Sequence, residues 1–85
     1  MPLYLIERNY AEQLEADGEA IRTVEAINAD EDVRWLVSFF TGDKRKSYCL
    51  YEAESPEAIL AAAQRANLPA DVIIEVDRFD PALHR

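Results

Sequence analysis

The chain has 85 residues, of which 9 are basic and 17 acidic, giving a net charge of −8, and 49% are hydrophobic. This length accommodates one small domain with a limited core, the hydrophobic share is too high for a disordered chain, and no apolar run is long enough to cross a bilayer. So negative a balance argues against phosphate-backbone binding as the main task, because nucleic-acid affinity comes largely from Lys and Arg displacing counterions.

The first predicted element is a strand over Leu3 to Asn9, with Leu3 and Leu5 on one face and Tyr4 and Ile6 on the other. An amphipathic helix follows from about Leu14 to Asn28, where Ala20, Ile21, Val24 and Ile27 recur at three- and four-residue spacing with acids between them. Gly18 costs about 1 kcal/mol relative to Ala inside a helix, which makes it a natural point for the regular helix to begin. Val33 to Thr41, rich in Val, Trp and Phe, predicts a second strand, and Gly42-Asp43 with the basic trio Lys44-Arg45-Lys46 supplies a turn into a third, Ser47 to Ala53.

Ser55-Pro56-Glu57 is a helix start: a Ser N-cap, a Pro where the missing N–H does no harm, and a carboxylate facing the helix dipole. The second helix runs to about Ala66 with a core stripe of Ile59, Ala62, Ala63 and Ala66, and Asn67-Leu68-Pro69 ends it. Val72 to Phe79 is the last predicted strand. There is no linker, low-complexity segment or short-period repeat, although β-α-β occurs twice.

The charges read as solvated surface: Glu12, Glu15, Asp17, Glu19, Glu25, Asp30, Glu31 and Asp32 around Arg22 on the first helix, and the basic trio at a hairpin tip. The first residues reach Glu7 and Arg8 without a basic lead-in or a small-residue cleavage site, so they do not read as a signal peptide. Cys49 is the one cysteine, which leaves no internal disulfide or paired-thiol redox site and fits a reducing, cytoplasmic setting.

The order β-α-β-β-α-β predicts an α+β, ferredoxin-like sandwich: an antiparallel sheet with both helices on one face. Two helices cover one face, yet strict alternation puts Val33, Trp35, Val37 and Phe39 on one side of the second strand and Leu36 and Phe40 on the other, and in the third Tyr48 and Leu50 oppose Cys49 and Tyr51. A sheet with one wet face alternates apolar with polar. Large apolar groups on both faces mark an interface, and a second copy related by a two-fold axis is the simplest cover. A homodimer is expected.

The run Trp35-Leu36-Val37-Ser38-Phe39, then Asp43 to Glu52, then Ser55-Pro56-Glu57-Ala58-Ile59, and Leu68-Pro69 before Ile74-Glu75-Val76, resembles a bacterial family of short ferredoxin-like proteins described as nickel-binding or nickel-responsive. The resemblance spans nearly the whole chain. It implies a dimer of ferredoxin-like subunits with nickel at the surface, and it implies no enzyme activity.

Ni(II) favours imidazole, thiolate and amine ligands with some carboxylate. Here His84 lies near Asp77 and Asp80, and these three are the candidate metal ligands, with further groups to come from a second subunit. The plain alternative is an exposed terminal His, because a metal site needs several convergent, oriented ligands. Cys49, mid-strand among aromatics, reads first as a small buried hydrophobe.

Candidates for lining a ligand cavity between helices and sheet are Glu7, Arg34, Trp35, Tyr48, Cys49 and Tyr51, with Glu7 as a general base if the site is catalytic. Aromatics on strands are more simply core, and Glu7 a paired edge charge. The Met1-Pro2 opening resembles that of tautomerases, which use an amino-terminal Pro as base, but the rest of the chain does not match them. The residues thus frame a cytoplasmic dimer binding a small ligand, nickel being favoured by the resemblance. The competing reading is a dimeric-barrel enzyme acting on a hydrophobic small molecule.

Overall fold

The computed structural model describes residues 1–10 and 17–84. Four strands, β1 (Leu3–Asn9), β2 (Arg34–Phe40), β3 (Lys46–Glu52) and β4 (Val72–Val76), form one antiparallel sheet in the order β2-β3-β1-β4. Helices α1 (Gly18–Asp30) and α2 (Pro56–Arg65) lie over one face, and a 3-10 turn (Pro81–His84) follows β4. This is the ferredoxin-like α+β arrangement expected from the order of elements.

Each helix is capped as its sequence dictates. The Asp17 side chain accepts the Ala20 amide at 2.8 Å, so α1 begins at Gly18, and the part of the expected helix around Leu14 lies outside the described residues. Ser55 caps α2 with Pro56 in its first turn, as expected.

Both helices end alike. Past α1, Val33 N–H bonds Asn28 C=O at 2.8 Å and Asp32 N–H bonds Ala29 C=O at 3.3 Å; past α2, Leu68 N–H bonds Ala63 C=O at 2.9 Å and Asn67 N–H bonds Gln64 C=O at 3.2 Å. These are Schellman closures, with the left-handed position taken by Asp32 (φ 55) and Asn67 (φ 56) instead of glycine. Because Val33 gives its N–H to the helix, β2 starts one residue later than expected, at Arg34.

The core lies between the helices and one sheet face. Tyr4 and Ile6 of β1, Cys49 and Tyr51 of β3 and Ile59 and Ala62 of α2 are buried there. The α2 stripe is buried as expected apart from Ala66, which is half-buried. The α1 stripe is not: Ile21 is 38% exposed and Ala20 is exposed, while Val24 and Ile27 are half-buried. The first half of α1 therefore stands off the sheet.

Strict alternation along β2 fails. Trp35 pairs with Tyr51 and Val37 with Leu50, so Leu36 is an extra residue in a β-bulge that shifts the register. Trp35, Ser38 and Phe40 consequently face the helices, and Val37 and Phe39 face away. At the chain's far end, β4 stops at Val76, short of the expected Phe79, because Val76 pairs with Leu3, the first residue of β1, and no partner strand continues beyond it.

The face away from the helices carries Leu3, Leu5, Val37, Phe39, Tyr48, Leu50, Val72 and Ile74. Phe39 is 64% and Ile74 51% exposed. Two ion pairs lie among them, Arg34 with Glu52 at 3.6 Å and Lys46 with Glu7 at 3.9 Å.

Candidate functional site

Beneath the raised half of α1 is a cavity of ≈ 100 Å³. Ala20, Ile21 and Val24 roof it, Trp35, Ser38 and Phe40 of β2 and Cys49 and Tyr51 of β3 form much of the floor, and Arg8, Tyr10 and Leu68 complete the wall. The bulge at Leu36 brings Trp35 and Ser38 to the same side, where the Trp35 indole N–H donates to Ser38 Oγ at 2.7 Å. Trp35 also stacks on Tyr51, with ring centroids 6.5 Å apart.

Arg8 occupies a position that alternation along β1 gives to the core, after Tyr4 and Ile6, and it is 3% exposed. Its guanidinium donates to the Pro69 carbonyl and, at 3.4 Å, to the Tyr51 hydroxyl, with its carbon 5.8 Å from the centre of that ring. None of the ion pairs among the described residues includes Arg8. The Asn28 side chain is buried alongside, and its Nδ2 has no hydrogen-bond partner among the described residues.

A second polar string links two lining residues, Tyr10 and Cys49, through the buried Ser47: the Tyr10 and Ser47 hydroxyls are 2.8 Å apart, and Ser47 Oγ lies 3.6 Å from Cys49 Sγ. Burial pushes the Tyr10 hydroxyl above its ordinary pKa against the opposing hydrogen bond from Ser47, and burial raises Tyr51 against the opposing charge of Arg8. Both phenols therefore stay protonated at neutral pH.

The expected cavity residues divide between two faces. Trp35, Cys49 and Tyr51 come together in the cavity, whereas Glu7, Arg34 and Tyr48 lie on the far side of the sheet, Glu7 and Arg34 in ion pairs. Glu7 is thus separated from the cavity by the sheet itself. Strand alternation explains this directly, since Glu7 pairs with Tyr48 while Ile6 pairs with Cys49. Arg8, Tyr10 and Ser38 were not among the expected site residues. For Arg8 the signal was present, as an arginine in phase with Tyr4 and Ile6.

The expected metal ligands do not converge. The His84 ring is exposed and stacks on Phe79 with centroids 5.0 Å apart, the Asp80 carboxylate accepts the Ala82 amide at 3.0 Å, and Asp77 is exposed. No cluster of three or more His, Cys, Asp or Glu able to hold a metal ion occurs among the described residues. A donor set drawn from the described residues of one chain therefore does not fit Ni(II).

No helix among the described residues is long and apolar enough to cross a membrane. No curated protein matches the chain. Among solved structures, SCO4226 from Streptomyces coelicolor A3(2) is 25% identical, with a TM-score of 0.78, 92% of this chain and 99% of that one being covered. A chain of the complex between the chemotaxis kinase CheA P2 domain and the response regulator CheY from Thermotoga maritima is 11% identical with a TM-score of 0.55, covering 88% of this chain and 98% of that one, and shares the fold alone. The model of the family "Nickel responsive protein SCO4226-like" matches residues 4–76, and the chain belongs to that family.

Proposed function

We propose that the protein is a homodimeric binding protein that pairs through the far face of its sheet and takes a small ligand into the cavity under α1. The observation that carries this reading is the division of the sheet: one face, with Phe39 64% exposed, offers apolar area to a partner, and the other floors a cavity that α1 leaves open. A two-fold axis would bring like residues together and cover both copies' exposed groups at once. Trp35 is the chain's single tryptophan and lies in the cavity wall, so its emission reports occupancy. A small apolar probe such as benzene is expected to change that emission saturably, and Ala20→Phe, which fills the cavity from its roof, to abolish the change. A linear, non-saturating response in the wild type sinks the reading.

A second reading, direct nickel binding, is favoured by the family's description. It requires donors from both subunits, with His84, Asp77 and Asp80 as this chain's contribution. Calorimetric titration with Ni(II), Co(II) and Zn(II), repeated on His84→Ala and Cys49→Ser, decides it. Binding tighter than about millimolar that His84→Ala removes supports the reading, and weaker or no binding ends it.

A further inference from the structure

We infer that the cavity under α1 selects a small organic anion, a carboxylate carrying a short apolar or aromatic tail, and that Arg8 is the residue that binds its charge. The inference rests on the cavity reading above and adds the chemical class of the occupant. Its first ground is Arg8 itself. A guanidinium has five N–H donors, is always charged and is costly to bury unpaired. At 3% exposure, with a carbonyl and a phenol as its named acceptors and no carboxylate among the described residues in an ion pair with it, Arg8 holds a positive charge that a ligand carboxylate would neutralise.

The second ground is the set of other polar groups. Ser38 Oγ accepts from the Trp35 indole, which leaves the Ser38 hydroxyl proton free to donate. The phenol of Tyr10, held protonated by burial, also lies in the wall. Arginine and serine are donors toward an incoming oxyanion, the Tyr10 hydroxyl joins them when Ser47 donates across their 2.8 Å contact, and the cavity lining includes no Asp or Glu among the described residues to repel it.

The third ground is the remaining lining. Ile21, Val24, Trp35, Phe40 and Leu68 present hydrocarbon, which suits a tail and not a second charge. The cavity volume, ≈ 100 Å³, approaches the ~150 Å³ of a cavity that holds benzene, so the tail is limited to a few carbons or one ring. A nucleotide or a sugar phosphate does not fit.

The test is calorimetric titration of the full chain with butanoate and benzoate, and in parallel with the uncharged butanamide and benzamide. The expected result is that a carboxylate binds at about millimolar or tighter and its amide about tenfold weaker or worse. Arg8→Gln is expected to erase that preference. Ala20→Phe, at an exposed helix position that leaves Arg8 in place, is expected to remove binding of acid and amide alike while the circular dichroism spectrum is unchanged.

The double variant Glu12→Gln/Glu15→Gln is expected to keep wild-type affinities. If carboxylates bind only in that variant, the chain's own acids satisfy Arg8 and the proposal is overturned. Equal affinity for acid and amide in the wild type overturns the anion assignment while leaving the cavity as a binding site. Failure of all four probes overturns both.

Discussion

Asp43 organises the β2–β3 turn with a single oxygen: Oδ1 accepts the Thr41 hydroxyl at 2.6 Å and the Arg45 amide at 3.0 Å. The Thr41 hydroxyl bond, then the Arg45 amide, hold the Asp43 carboxyl below its ordinary pKa. The folded value is the lower one, so the stabilisation is fully present above the unfolded pKa and is lost as pH falls through the depressed folded value. Thr41→Val is expected to bring the Asp43 titration, followed by carboxyl-carbon NMR, back toward the ordinary range; an unchanged midpoint contradicts the assignment. The turn itself was legible in Gly42-Asp43, but the left-handed residue is Lys44 (φ 58), which residue preference does not point to. Arg8 carries the same lesson in the opposite direction. Its phase with Tyr4 and Ile6 was visible, but whether a buried arginine meets a carboxylate depends on segments far apart in sequence.

At the scale of elements, the helix ends explain where the strands begin. Asp32 holds φ 55 so that Val33 can close α1, and Val33 is 5% exposed as the apolar residue of that motif. Asp32→Val places a β-branched residue in the left-handed region and is expected to lower unfolding free energy by about 1–2 kcal/mol in urea melts, whereas Asp32→Asn is expected to be near neutral. Equal losses for both would show that the backbone conformation is not the cause.

Caps, strand order and the α2 stripe were readable because each depends on neighbours within a few residues. The bulge at Leu36 was not, because inserting one residue leaves no mark in composition and reverses the faces of all that follow in β2. Its consequence is geometric, since it is what turns Ser38 and Phe40 toward the cavity. The loose seating of α1 was equally hidden: its apolar spacing is regular, and only the three-dimensional placement shows Ile21 at 38% exposure above a void. The two helices are tied at their far ends by Arg65, 3.2 Å from both Asp30 and Glu31. That pairing anchors the end of α1 remote from the cavity, leaving Gly18 to Val24 as the part an occupant would meet.

The whole molecule presents a sheet with two different faces. Toward the helices, Tyr4, Ile6, Cys49 and Tyr51 give way to the cavity where β2 and the start of α1 diverge. On the other side, Val37, Phe39, Val72 and Ile74 stand at 40%, 64%, 40% and 51% exposure, more apolar surface than one small domain needs to leave uncovered. The excess was evident from the sequence as apolar residues in both phases of the strands, although the bulge changes which of them belong to it. The proposed pairing through this face would place Phe39 in a dry contact, and a carboxylate there would have to be buried without a partner. Sedimentation equilibrium of the wild type beside Phe39→Glu tests whether two copies pair through this face. The expected outcome is a wild-type mass twice the 9.7 kDa of one chain, falling to 9.7 kDa in a variant that keeps the wild-type circular dichroism. A wild type that sediments as a single chain, or a Phe39→Glu variant that remains a dimer, would contradict it.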